Sequence, residues 1–163
     1  SPDDYPYFNP YTDTITYGYY HGYSLFEKYK KGIAYPFGHG LSYSKFKYEN
    51  FNLVNYNPQD SILYFSVDLT NNSDIEGKEI SQLYVGLENS EIDRPLKLLR
   101  DFKKNYFKAN EKKTINFKID KKDLAYFNTK KSRWINENIK YNFYVGGSSE
   151  NIKLLKISEF IYQ

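Results

Sequence analysis

From Phe46 onward, large apolar and polar residues take turns along the chain. Leu63, Phe65, Val67 and Leu69 share one side of an extended segment, with Tyr64, Ser66 and Asp68 on the other. Ile115, Phe117 and Ile119 alternate with Asn116 and Lys118, and Tyr141, Phe143 and Val145 with Asn142 and Tyr144. Successive side chains of a strand point to opposite faces, so this two-residue period marks strands covered on one side. Turn-forming clusters separate the runs: Tyr56-Asn57-Pro58-Gln59-Asp60, Asn71-Asn72-Ser73-Asp74, Asn136-Glu137-Asn138 and Gly146-Gly147-Ser148-Ser149. The pattern predicts about seven strands, near 46–54, 62–70, 78–86, 96–107, 113–119, 139–145 and 153–161. No helical period lies between them, so the expected fold is all-β, an antiparallel two-sheet sandwich.

The first 44 residues read differently. Pro2, Pro6, Pro10 and Pro36, with Gly18, Gly22, Gly32, Gly38 and Gly40, interrupt any long element, and only residues 23–31 predict a short helix. Tyr17, Tyr19, Tyr20, Tyr23, Phe26 and Tyr29 crowd this stretch without a period that would give it a core of its own. Such a segment is expected to lie against another surface. The expected organisation is therefore an irregular extension over 1–44 and a sandwich over 45–163.

Composition narrows the chemistry. The 23 basic and 20 acidic residues give a net charge of +3, and the lysines fall in scattered pairs with only Arg94, Arg100 and Arg133 beside them. Nucleic-acid recognition needs a concentrated basic face, so no nucleic-acid partner is expected. No apolar run approaches the roughly 20 residues that cross a bilayer, so no membrane partner is expected either. The absence of cysteine excludes disulfides and thiolate metal sites. His21 and His39 are the only histidines, too few for a metal site without well-spaced acids, so no cofactor is expected. The chain also lacks methionine, from which we expect a piece of something longer. Heavy use of Lys, Asn, Tyr, Ile and Phe has the look of an AT-rich genome, which discounts composition as a functional signal.

Several phrases in fixed order resemble one family. Tyr35-Pro36-Phe37-Gly38-His39-Gly40-Leu41-Ser42-Tyr43 is similar to the "PFGxGLSY" junction of family 3 glycoside hydrolases of the β-glucosidase type. The run 71–79 followed by Gln82-Leu83-Tyr84-Val85 resembles "NTGxxxGxEVxQLYV", and 94–102 resembles "RPxKxLxGF". Asp123-Leu124-Ala125-Tyr126-Phe127 resembles "DLAYY", and Trp134 with 141–149 resembles "W…GxYxVxVGGSS". The stretch 17–23 is similar to the end of the domain that precedes the sandwich in a subgroup of these enzymes. The resemblance runs from Tyr17 to Leu155. Ser73 and Asp101 stand where the family has glycines, and Asn110 and Asn138 occupy turns where it has "PGE". Asn tolerates positive φ better than most residues, so both are expected to keep those turns.

The resemblance implies a fibronectin type III-like, immunoglobulin-like sandwich attached to the tail of a preceding domain. It implies a parent that hydrolyses O-glycosidic bonds with retention, using an aspartate nucleophile and a glutamic acid/base about 5 Å apart. Both belong to domains upstream of these residues in the family, so no catalytic residue is expected here, and the chain alone is expected not to be an enzyme. The expected partners are the catalytic domains of the parent chain, with carbohydrate met only through them. Asp60, Asp74, Glu88, Glu111, Glu137 and Glu150 fall in turns and strand ends, where water would hold them ionised as solubilising charge. Tyr35, Pro36, Phe37, Gly38, His39 and Gly40 are expected to form the interdomain junction. The two histidines are expected to be packed there, or else to reach the rim of the parent's sugar pocket. Trp134 is expected in the sandwich core. The 19 tyrosines and 12 phenylalanines are read as core and interface rather than as a sugar-stacking platform. Asn71-Asn72-Ser73 fits a glycosylation sequon but is read as a turn. An independent carbohydrate- or protein-binding sandwich is the alternative, though such a module has no use for a long aromatic lead-in.

Overall fold

A computed structural model describes residues 9, 11–14, 17–54, 56, 57 and 59–157, the last four as backbone only. Pro2, Pro6, Pro10, Pro58 and the final residues of the expected strand 153–161 lie outside this description. Among the described residues the strands are β1 (Phe46–Val54), β2 (Ile62–Asn71), β3 (Gly77–Glu88), β4 (Leu98–Phe107), β5 (Lys112–Asp120), β6 (Tyr126–Asn128), β7 (Arg133–Ile135), β8 (Lys140–Gly146) and β9 (Ile152–Ile157). One sheet has the order β1-β2-β5, the other β4-β3-β8-β9, and β6-β7 forms a separate ribbon. All pairings are antiparallel. The seven expected strands are the seven strands of the two main sheets. The ribbon and the 3₁₀ turn Lys121–Leu124 lie on the path from β5 to β8.

The alternating residues close the core. Phe65, Val67 and Leu69 of β2 and Phe117 and Ile119 of β5 are buried against Leu83, Val85, Tyr141, Phe143 and Val145 of the facing sheet. The Phe65 and Phe143 rings meet across the sandwich at 4.6 Å. Burying each such ring stabilises the fold by roughly 1.5–3 kcal/mol relative to exposure. Asn71 is fully buried and its amide donates to the carbonyls of Ile75 (2.7 Å) and Lys108 (3.0 Å), so it holds the turn. Asn110 sits at φ 56 as expected, whereas Asn138 is not among the residues with positive φ.

One departure from simple alternation positions everything below. Six consecutive residues of β3, Ser81 to Gly86, are buried. A strand buried on both faces needs a second layer over its outer face. Gln82 (3% exposed) and Tyr84 (4%) point away from the core, and α1 (Gly22–Lys28) and the junction cover them.

Candidate functional site: a segment clasped to the outer sheet

The helix α1 begins after His21, with Gly22 at φ 55, and its Leu25 is buried. So short a helix gains little from its own hydrogen bonds and depends on its surroundings. Polar clasps supply them. Lys97 Nζ pairs with Glu27 at 2.9 Å and donates to the Ser149 carbonyl at 2.6 Å, tying α1 to the loop after β8. Asp93 accepts from Lys28 Nζ and from the Tyr20 hydroxyl, each at 2.6 Å. Lys28 Nζ lies 3.7 Å from the centre of the Tyr20 ring, a cation–π contact. Hydrogen bonds from Lys28 and Tyr20 hold the Asp93 carboxyl below its ordinary value. Burial, then the Asp93 bond, pushes the Tyr20 hydroxyl well above its own. Beneath the segment, burial and then the Glu27 charge push Tyr84 up to about 12.

The Ser149 amide donates to the Phe37 carbonyl at 2.9 Å, and the His39 amide to that of Pro36 at 2.9 Å. Phe37 meets Tyr23 edge to face at 5.6 Å. Gly38 has φ +82, and a Cβ there would sit 2.1 Å from Gln82 Nε2. Glycine is required at that position by both conformation and space. Gln82 Nε2 in turn donates to the Gly147 carbonyl at 3.0 Å. Gly40 has open space around it, so the expected tight turn rests on Gly38. His39 leans on the Tyr35 ring at 5.1 Å, and both histidines are exposed. The outer side is strongly apolar: Tyr35 is 68% exposed, Leu41 98% and Tyr43 95%.

Trp134 is not core: it is 68% exposed and touches Phe127 edge to face at 5.6 Å. In the β6–β7 ribbon Phe127 pairs with Trp134 and Tyr126 with Ile135. Strand alternation turns Tyr126 and Ile135 toward the sandwich, both half-buried, and Phe127 and Trp134 away from it. Nor is Glu137 a solvated turn acid. It is 6% exposed and accepts from Arg94 Nη2 (2.8 Å), Ser90 Oγ (2.7 Å) and the Glu91 amide (2.6 Å). This buried pair fixes the loop 89–95 that carries Asp93. The other expected turn acids are half-buried or exposed. Sequence reading also missed Lys97, Asp93, Gln82 and Glu27. The signal available for Gln82 and Tyr84 was a central strand with no charge on either face between Ser81 and Gly86. Among the described residues no group of three or more His, Asp or Glu could hold a metal, and no helix is long and apolar enough to cross a membrane.

The strand order and the clasped lead-in define the class. Residues 79–149 match the family model for a fibronectin type III-like domain. A thermostable β-glucosidase B from Acetivibrio thermocellus is 39% identical over 140 residues, covering 84% of this chain and 18% of that protein. Among solved structures, a GH3 β-glucosidase from Bifidobacterium adolescentis superposes with a TM-score of 0.78 at 31% identity over 85% of this chain and 20% of its own. A β-D-glucoside glucohydrolase from Trichoderma reesei superposes with a TM-score of 0.83 at 26% identity, covering 97% of this chain and 25% of its own. The chain belongs to the fibronectin type III-like region of β-glucosidase-type family 3 glycoside hydrolases. It spans 16–19% of the length of the first curated relatives it matches.

Proposed function

We propose that this chain is the non-catalytic C-terminal module of a family 3 enzyme that hydrolyses β-glucosides with retention, and that it braces the catalytic domains. Residues 1–44 would then be the tail of the preceding domain with the junction, and 45–163 the bracing sandwich. The observation that carries this reading is the two-sided segment 17–44. Its inner side is fastened to the sandwich by Lys97, Asp93 and Ser149. Its outer side presents Leu41 and Tyr43 nearly bare and Tyr35 largely exposed. A linker meant to swing would not be clasped at these points, and a free surface would not carry those side chains together. Interfaces between domains of one chain typically bury about 600–1,500 Å². Carbohydrate would be met through the parent's catalytic domains.

The acids present support the non-catalytic part. Glu137 is spent on Arg94 and the 89–95 loop, and Asp93 on Lys28 and Tyr20. A retaining pair needs one carboxyl held protonated and poised across a sugar from the other. The purified chain is expected to leave an aryl β-glucoside at its uncatalysed rate of hydrolysis. Turnover that disappears on mutating an acid within the chain would overturn the proposal.

A further inference from the structure

Beneath the loop that receives the junction lies a carboxyl with no part in the clasp. Glu79 of β3 turns its side chain to the inner face of its sheet, as Leu83 and Val85 do further along the strand. The Tyr48 hydroxyl, from β1 in the facing sheet, donates to Glu79 Oε1 at 2.7 Å. Directly opposite on β4 stands Asn105, whose Oδ1 is buried and has no donor. Opposed side chains of neighbouring strands lie about 4.5–5.5 Å apart at Cβ, within reach of one hydrogen bond. Among the described residues no cation pairs with Glu79. Lys103 on β4 pairs with Asp101 and Lys47 on β1 with Glu49, while His39 and Lys78, which line the same cleft as Glu79, are exposed.

These contacts fit a carboxylic acid better than a carboxylate. A neutral carboxyl accepts from Tyr48 with one oxygen and donates its proton to Asn105 Oδ1 with the other, which satisfies all three groups. A carboxylate would face the Asn105 oxygen with like partial charge, where burial already raises the Glu79 carboxyl above its ordinary value. Burial, and then the Glu79 charge, push the Tyr48 hydroxyl well above its own, so Tyr48 stays a donor. The pair underlies the loop after β8: a Cβ on Gly147 would sit 2.6 Å from Glu79 Oε1 and 3.6 Å from the Tyr48 hydroxyl. Two residues on, the Ser149 amide holds the Phe37 carbonyl.

We infer that Glu79 is a proton-operated latch: protonated, it ties the two sheets together beneath Gly147 and seats the junction; ionised, it draws water into the cleft and loosens the loop 146–149 from Phe37. In an opened loop the carboxyl titrates near its free value of about 4.3. The closed value is higher, so the seat is tightest below about pH 4.3 and weakens as pH rises through the closed value. The latch concerns the seat of the junction alone and stands whatever the outer face meets.

Glu79→Gln is a fixed copy of the protonated form, since its amide accepts from Tyr48 and donates to Asn105. Exchange of the Ser149 amide in the 163-residue chain, divided by that in Glu79→Gln at the same pH, is free of the intrinsic pH dependence. The ratio should be flat below about pH 4.3 and then rise by up to about tenfold per pH unit until the latch is fully ionised. The Glu79 side-chain carboxyl carbon, followed by NMR, should titrate at the pH where that rise ends. Asn105→Ala, which removes the acceptor, should lower that midpoint. A ratio that stays flat across the neutral range, or a Glu79 midpoint at the ordinary carboxylate value, overturns the latch. So does a midpoint that Asn105→Ala leaves in place or raises; a rise would mean that Asn105 donates to a carboxylate through its amide nitrogen.

Discussion

The sandwich and the segment laid across it are both rich in tyrosine and phenylalanine, yet they use these residues in opposite ways. In β2, β5 and β8 the aromatics fall on every second position and vanish into the core, as Phe65, Phe117 and Phe143 do. In 17–44 they follow no period, and the one buried large apolar residue is Leu25. The sandwich is held by area removed from water. The segment is held by ion pairs and hydrogen bonds at a few points, with much of its aromatic surface still outside. Aromatic content alone thus says nothing about which force holds a region; the spacing does.

The sharpest way to break this distinction is to truncate one ring in each region. Phe65→Ala should cost about 3–5 kcal/mol of global stability by denaturant titration, because a well-packed core collapses only partly around the void. Tyr23→Ala, from a half-exposed site, should stay within about 0.5 kcal/mol. Equal losses would mean that the segment is part of the core.

Next in size is the buried pair that joins the two regions. Glu137→Ala leaves Arg94 charged, buried and without its carboxylate, at a cost of about 3–5 kcal/mol. The loop 89–95 would lose its anchor, and Asp93 would release Lys28 and Tyr20 with it. Unchanged melting would show that the Glu137 cluster is not structural.

How much of this was legible beforehand follows from the same physics. The seven main strands could be read because a half-buried strand writes its burial into a two-residue period. The turn at Asn110 could be read because few residues accept positive φ. Trp134 was misplaced because three-residue strands are too short to reveal their phase, and one step of alternation separates core from solvent. Glu137 was misread because its partner, Arg94, lies 43 positions away and nothing local distinguishes a paired acid from a solvated one. The clasp was invisible for the same reason: Lys97, Glu27 and Ser149 meet only once the sheet exists. The Gly38 requirement was partly visible in the glycine itself, but its causes, a positive φ and the nearby Gln82 amide, were not.

The smallest expected effect concerns acid. On the sandwich, bonds from Lys112, Asn50 and Thr114 hold the Asp68 carboxyl at about 2, below its ordinary value. In the segment, Lys28 and Tyr20 depress Asp93 likewise. A depressed carboxyl contributes stability above its unfolded pKa, near 3.9, and that contribution is lost as pH falls through the folded value. Asp68→Asn should therefore flatten the stability curve of the sandwich between about pH 4 and pH 2. Asp93→Asn should flatten only the acid loosening of α1, read from its amides. An acid limb that shifts equally in both readouts for either variant would mean that the two regions open as one.

Hydrogen exchange across residues 17–43 tests the central claim most directly. In a clasped segment the amides of α1, of His39 and of Ser149 should exchange far more slowly than those of a free linker. Lys97→Met, which cuts α1 from the loop after β8, should speed the α1 amides while leaving those of β2, β3 and β8 as they were. Uniformly fast exchange from Tyr17 to Tyr43 in the unmodified chain, unchanged by Lys97→Met, would contradict the clasp and the bracing role built on it.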